Sequence, residues 1–167
     1  MGNSPARARD PYVTGLAWLA RRELSEAQLR RRLTRQGHST DAIDTAIVRL
    51  KQERALDDAR AAEAIARTEL VLRGRGRLRV GRQIRQAGIA EGTADRALDR
   101  VYEEVDPHDL LVAALDKRLR GRPTIADEKE MQRLYRYLIA QGFESERVAQ
   151  LLRSRLRRGG LDPEDPE

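Results

Sequence analysis

Three glycines, Gly37, Gly88 and Gly142, set the register of an internal repeat. That repeat constrains the fold more than any other feature of the chain. Eight residues before each glycine stand Leu29, Val80 and Leu134, and four before stand Leu33, Ile84 and Leu138. Six residues after stand Ile43, Ala94 and Val148, and ten after stand Ile47, Leu98 and Leu152. Apolar positions four apart on both sides of a glycine describe two helices joined by a tight turn. Glycine just past a helix end takes the left-handed conformation at little cost. The glycines recur roughly every fifty residues, which leaves room for three helices per unit.

Local signals place the other helices. Asp10-Pro11 and Asp106-Pro107 each offer an N-cap acceptor followed by proline at the first helical position. Ser25 to Gln28 matches a capping box, and Thr124 to Asp127 offers another cap. These signals predict helices over 11–23, 25–36 and 40–54, then 58–73, 77–87 and 91–104, then 107–120, 125–141 and 145–158. No stretch alternates with period two, so no sheet is expected. The expected class is all-α: three tandem three-helix repeats in an elongated, curved arrangement. The expected division is a disordered N-terminus over 1–9, repeats over 10–56, 57–105 and 106–158, and an acidic flexible tail over 159–167.

Composition excludes several function classes. With no cysteine, disulfide frameworks and thiolate metal sites are out. No run of apolar residues is long enough to span a bilayer, and residues 1–9 lack the apolar stretch of a secretory signal. Met1-Gly2-Asn3-Ser4 fails as a myristoylation start because Ala6 stands where Ser or Thr is needed. A cytoplasmic protein that is not membrane-bound is therefore expected.

The net charge of +6 favours polyanionic or acidic partners, so the distribution of charge matters. All basic residues except Lys51, Lys117 and Lys129 are arginine, a skew that genome composition alone can produce. Residues 70–90 carry Arg73, Arg75, Arg77, Arg79, Arg82 and Arg85 and no acid. The first four alternate with Gly74, Gly76 and Leu78, a glycine-broken basic loop leading into a helix. Guanidinium forks on flexible backbone suit phosphate or an acidic protein groove. The plainer reading is a solvated basic loop. Arg31, Arg82 and Arg136 stand six residues before the aligned glycines, nearly opposite the apolar stripe, so each is expected on an outer face.

Catalytic equipment is not legible. Gly76 to Gly81 has P-loop spacing, but Arg82-Gln83 follow instead of lysine and a hydroxyl residue. His38 and His108 lack companion ligands, and Asp57-Asp58 read most simply as a helix cap. No catalytic residue, metal site or cofactor is expected.

Three passages together resemble a known family. The first unit carries Leu19 to Ser25, then Leu29-Arg30-Arg31-Arg32-Leu33 and Gly37. The second carries Leu56-Asp57-Asp58-Ala59-Arg60-Ala61-Ala62, the Gly-x-Gly basic stretch, and Ala87-Gly88-Ile89. The third carries Leu138 to Phe143 and then Val148. In order and layout, over about residues 12–158, they resemble RecX, the bacterial regulator of the RecA recombinase. The chain departs from that pattern at Ala61, where phenylalanine is usual, at Arg77, where proline often follows the glycine, and at Ala87, where lysine is common. The missing aromatic at position 61 is expected to loosen the packing of its helix.

The resemblance implies a non-enzymatic modulator. RecX proteins bind RecA filaments on single-stranded DNA, lodge in the filament groove, and inhibit ATP hydrolysis and strand exchange; some also contact single- or double-stranded DNA directly. Under that reading the protein is a monomer, and Arg73, Arg75, Arg77, Arg79, Arg82, Arg85, Arg31 and Arg136 are its expected filament or DNA contacts. The rival reading is a stand-alone DNA-binding helical protein. Against it, the helices starting near Thr40 and Ala90 carry Asp41, Asp44, Glu91 and Asp95, which repel phosphate.

Overall fold

The computed structural model describes residues 10–103 and 105–156. Among them run nine α-helices: α1 (Pro11–Leu19), α2 (Glu26–Arg35), α3 (Thr40–Gln52), α4 (Asp58–Arg67), α5 (Arg77–Gln86), α6 (Glu91–Glu103), α7 (Pro107–Leu119), α8 (Glu128–Gln141) and α9 (Ser145–Arg155). No strand occurs among the described residues, and the one isolated bridge joins Ile125 to Leu156. The fold is all-α and built of three-helix repeats. The expectations for 1–9 and 159–167 lie outside the described residues.

The cores follow the repeat. One cluster gathers Leu24, Leu29, Leu33, Ile43, Ile47, Leu50 and Leu56. A second runs from Ala61 to Val101, and a third from Leu111 to Leu152. All twelve positions aligned on the three glycines are buried. The glycines themselves stand at φ of 85°, 84° and 91°, the left-handed region where a side chain is strained.

Capping behaves as the sequence predicts at most starts. The Ser25 hydroxyl accepts from the Gln28 amide while the Gln28 side chain accepts from the Ser25 amide, closing the box. Asp10, Asp57, Asp106 and Asp127 each accept from first-turn amides of their helices.

Three helices depart from expectation. α1 stops at Leu19 rather than near 23, because the chain turns back on the Trp18 carbonyl to sink Leu24 and Ser25 into the interior. The helix expected over 58–73 loosens into a π turn at Thr68–Leu72. α8 begins at Glu128 rather than 125, because the amide of fully buried Ile125 is drawn to the Arg155 carbonyl at 2.8 Å. Ala61, 1% exposed, shares its core with Ala62, Ala66, Ala94 and Ala97. Small residues let α4 and α6 pack against each other closely.

Two seams join the units, and they repeat the same motif. Across the first, the Ser25 hydroxyl donates to the Ala87 carbonyl at 2.5 Å. Across the second, the Gly76 amide donates to the Gln141 carbonyl at 2.9 Å. Ser25 and Gly76 occupy one repeat position, and Ala87 and Gln141 another. Gly88 and Gly142 each pack on the start of the preceding unit's middle helix. A Cβ built on Gly88 would lie 2.4 Å from the Ala27 Cβ, and one built on Gly142 2.3 Å from the Arg79 amide nitrogen. At Gly37, in the first unit, a Cβ meets nothing within 4 Å among the described residues.

Candidate binding surface

The glycine-broken arginine segment lies in the second seam rather than as a free loop. Gly76 is buried because the backbone of Gly142 and Phe143 passes over it, leaving no room for a Cβ. The Leu78 amide donates to the Gly142 carbonyl at 3.1 Å, fixing the first turn of α5 on the end of α8.

Several arginines expected to meet a partner are engaged inside the protein. Arg73 pairs with Glu69 at 2.9 Å. Arg75 donates to the Gln141 side chain at 2.7 Å and stands 4.0 Å from Glu69. Arg77 pairs with Asp99 at 2.6 Å and stacks over Tyr102 at 5.2 Å. Arg79 donates to the Ala140 carbonyl at 2.9 Å. Residues 70–90 do lack an acid, but their counter-charges come from outside that window. Glu69, 6% exposed, is one of them, and its (i, i+4) spacing to Arg73 was a readable signal. Asp99 has no local signal, because only the fold brings α6 to α5. Burial raises the Tyr102 hydroxyl pKa above its ordinary value, against the opposing charge of Arg77.

The remaining expected residues are exposed. Arg82 and Arg85 lie on α5, and Arg31 and Arg136 on α2 and α8. Arg31, Arg82 and Arg136 thus occupy the outer faces predicted from the repeat.

The first unit holds a cluster of arginines of its own. A cleft of about 680 Å³ is lined by Arg22, Arg30, Arg31, Arg32 and Arg35, with no carboxylate in its wall among the described residues. Among the described residues Arg30 alone of these is ion-paired, to Glu26 and Asp44, while the Nε of Arg35 donates to the Arg31 carbonyl at 3.3 Å. Arg32 stacks 5.7 Å over Trp18. Burial holds the Arg32 pKa below its ordinary value, and the nearby charges of Arg22 and Arg35 push it the same way. Like charges held together without compensation favour an anionic ligand. The Arg-Arg-Arg run on α2 was visible in the sequence, but not that Arg22 joins it. A second cleft, in the third unit, gathers Arg118, Arg120, Arg122 and Arg133 around Glu130.

The described residues hold no group of three or more metal-ligating side chains, and no described helix is long and apolar enough to cross a membrane. What the surface offers chemically is anion recognition.

Comparison with known proteins decides the family. Residues 12–50 match the profile described as RecX, first three-helix domain, and residues 104–152 that of RecX, third three-helix domain. The regulatory protein RecX of Halorhodospira halophila is 34% identical over 149 residues, 89% of this chain and 89% of that protein. The chain belongs to the RecX family. The regulatory protein RecX of Chromohalobacter salexigens is 33% identical over 150 residues, 89% of this chain and 92% of its own length. A crystal structure of RecX from Lactobacillus salivarius shares the fold, with a TM-score of 0.71 at 17% identity over 88% of this chain and 95% of that one. The Halorhodospira and Chromohalobacter relatives are named as regulatory proteins.

Proposed function

We propose that the protein is a cytoplasmic, non-enzymatic negative modulator of the RecA recombinase. It binds RecA filaments on single-stranded DNA and slows ATP hydrolysis and strand exchange, and so acts on homologous recombination, DNA repair and the SOS response. Family membership supports the regulatory role. The observation that carries the binding mode is the carboxylate-free arginine cleft of the first unit. Arg22, Arg31, Arg32 and Arg35 meet acidic filament surface or the phosphates of the bound strand there. Arg82, Arg85 and Arg136 add exposed charge on the second and third units. Arg75 and Arg79 act chiefly by holding the start of α5 on the end of α8, while Arg73 and Arg77 pair with Glu69 and Asp99 inside the second unit. A chain of units that engages several filament subunits multiplies modest contacts by avidity.

The second reading, direct binding to DNA alone, is favoured by an adjoining hollow that shares Arg32 and Arg35 with the cleft, where Trp18 offers a ring for base stacking. One titration separates the two. RecA ATPase on single-stranded DNA is followed as the protein is added, beside direct binding of the protein to the same DNA without RecA. Inhibition well below the concentration that covers free DNA is the expected result. Inhibition only once free DNA is covered means competition for DNA, and the second reading replaces the first.

A further inference from the structure

The repeat register exposes a difference among the three units that bears on binding. In the first unit the groove between the middle and last helices is bridged by Arg30, which reaches Glu26 at 2.8 Å and also pairs with Asp44. In the second unit Arg77 and Asp99 bridge α5 and α6 at 2.6 Å. There Gly81 lets the helices close further, since a Cβ on it would lie 3.3 Å from the Leu98 Cδ1. The third unit has neither pair. Tyr135 and Ala149 stand where the first unit has Arg30 and Asp44, and Met131 and Arg153 stand where the second has Arg77 and Asp99.

The result is an open groove of about 330 Å³ between α8 and α9. Its floor is Met131, Tyr135, Ala149 and Leu152, and Arg136 and Arg153 line it beside them. Tyr135 is 36% exposed, a large ring with no helix over it. Both arginines are exposed, and neither has a carboxylate partner among the described residues. The Nε of Arg153 donates to the Ala149 carbonyl at 3.1 Å, which leaves its terminal amines for a ligand.

We propose that the α8–α9 groove is a docking site for a short protein segment with one apolar anchor side chain flanked by carboxylates. The anchor settles on Tyr135 and Leu152, and the carboxylates pair with Arg136 and Arg153. An apolar floor with arginine at its edge matches the composition of protein-binding hot spots. The segment belongs to the recombinase filament, an assignment that rests on the function proposed above; the chemistry of the groove does not.

The test uses the full chain and two probes. The first is a pair of short synthetic peptides sharing a central leucine, one flanked by glutamates and the other by lysines, followed by fluorescence anisotropy. The second is the RecA filament on single-stranded DNA. Two double variants alter the groove. Tyr135→Arg with Ala149→Asp transplants the ion pair of the first unit and closes it. Arg136→Ala with Arg153→Ala changes exposed side chains only, and remains informative if the first variant fails to fold. The glutamate peptide is expected to bind about tenfold tighter than the lysine peptide, and either variant to lose that preference. Equal binding of the two peptides, or full binding by a folded variant, overturns the proposal. If the unaltered chain binds filaments and the variants bind at least about tenfold more weakly, the occupant is a filament segment. If unaltered chain and variants bind filaments equally, the assignment to the filament is wrong. If the unaltered chain does not bind filaments, the proposed function fails and the peptides still decide the groove. Sedimentation showing self-association that the variants abolish makes the occupant a second copy and overturns the partner chemistry.

Discussion

The hydroxyl of Ser25 joins two units: it accepts from the Gln28 amide at 3.1 Å within α2 and donates to the Ala87 carbonyl at 2.5 Å in the next unit. Ser25 is fully buried, so no water replaces either bond. Ser25→Ala removes a helix cap, worth about 1 kcal/mol, and leaves a buried carbonyl unsatisfied at about 1–3 kcal/mol. A loss of about 2–4 kcal/mol is expected, read as a lower urea midpoint with an unchanged slope. A loss below about 0.5 kcal/mol, the size of an ordinary surface substitution, shows that the seam does not depend on this hydroxyl.

The three aligned glycines share a backbone conformation but not an environment. Gly37→Ala meets only the strain of the left-handed region, about 1–2 kcal/mol. Gly88→Ala adds a clash with Ala27, and Gly142→Ala a clash with the backbone of Arg79. Overpacking of that kind costs a further 1–3 kcal/mol or so. The expected order of urea midpoints is therefore wild type, then Gly37→Ala, with Gly88→Ala and Gly142→Ala lowest. Equal losses at all three mean that the seams relax around a methyl group.

How far the sequence speaks for this fold depends on the range of each interaction. The turn between middle and last helices is local: a left-handed glycine flanked by apolar residues at helical spacing is self-contained, and all twelve aligned positions are buried. The outer placement of Arg31, Arg82 and Arg136 follows from helix geometry alone and was equally legible. The fate of Arg75, Arg77 and Arg79 was not. Their partners, Gln141, Asp99 and the Ala140 carbonyl, stand 66, 22 and 61 residues away and are set by how units and helices dock. An arginine-glycine run therefore reads as a loop for a partner when its partner is the next unit. The π turn at Thr68–Leu72 left no mark in the apolar spacing either.

That division between engaged and free arginines is testable. Arg75→Ala and Arg79→Ala are each expected to lose about 1 kcal/mol of stability, the typical worth of the hydrogen bonds they make across the second seam. Arg31→Ala, Arg82→Ala and Arg136→Ala are expected to stay within about 0.5 kcal/mol of wild type, as exposed side chains do. Combined, the latter three are expected to weaken filament binding and flatten its dependence on salt, as lost contacts to phosphate do. Urea unfolding and binding at two salt concentrations check both halves. Stability losses in the exposed set, or unchanged binding in their triple variant, contradict the division.

Glu130 supplies a pH signature for the third unit. Its carboxylate pairs with Arg122 and accepts from the Ala126 amide at 2.9 Å, closing the start of α8. The Arg122 guanidinium first, and then the Ala126 amide, hold its pKa down at about 2. Unfolded, the same group titrates near about 4.3. The folded pKa is the lower one, so the stabilisation is fully present above about pH 4.3 and is lost as the pH falls towards about 2. The Arg122 side chain is 51% exposed, so screening holds the contribution to about 1 kcal/mol. Glu130→Gln is therefore expected to lose about 1 kcal/mol at neutral pH, with the gap to wild type roughly halved by pH 3. Urea midpoints of both proteins at pH 7, 5 and 3 measure that gap, and a gap that does not change with pH shows that the charge on Glu130 is not what holds α8 in place.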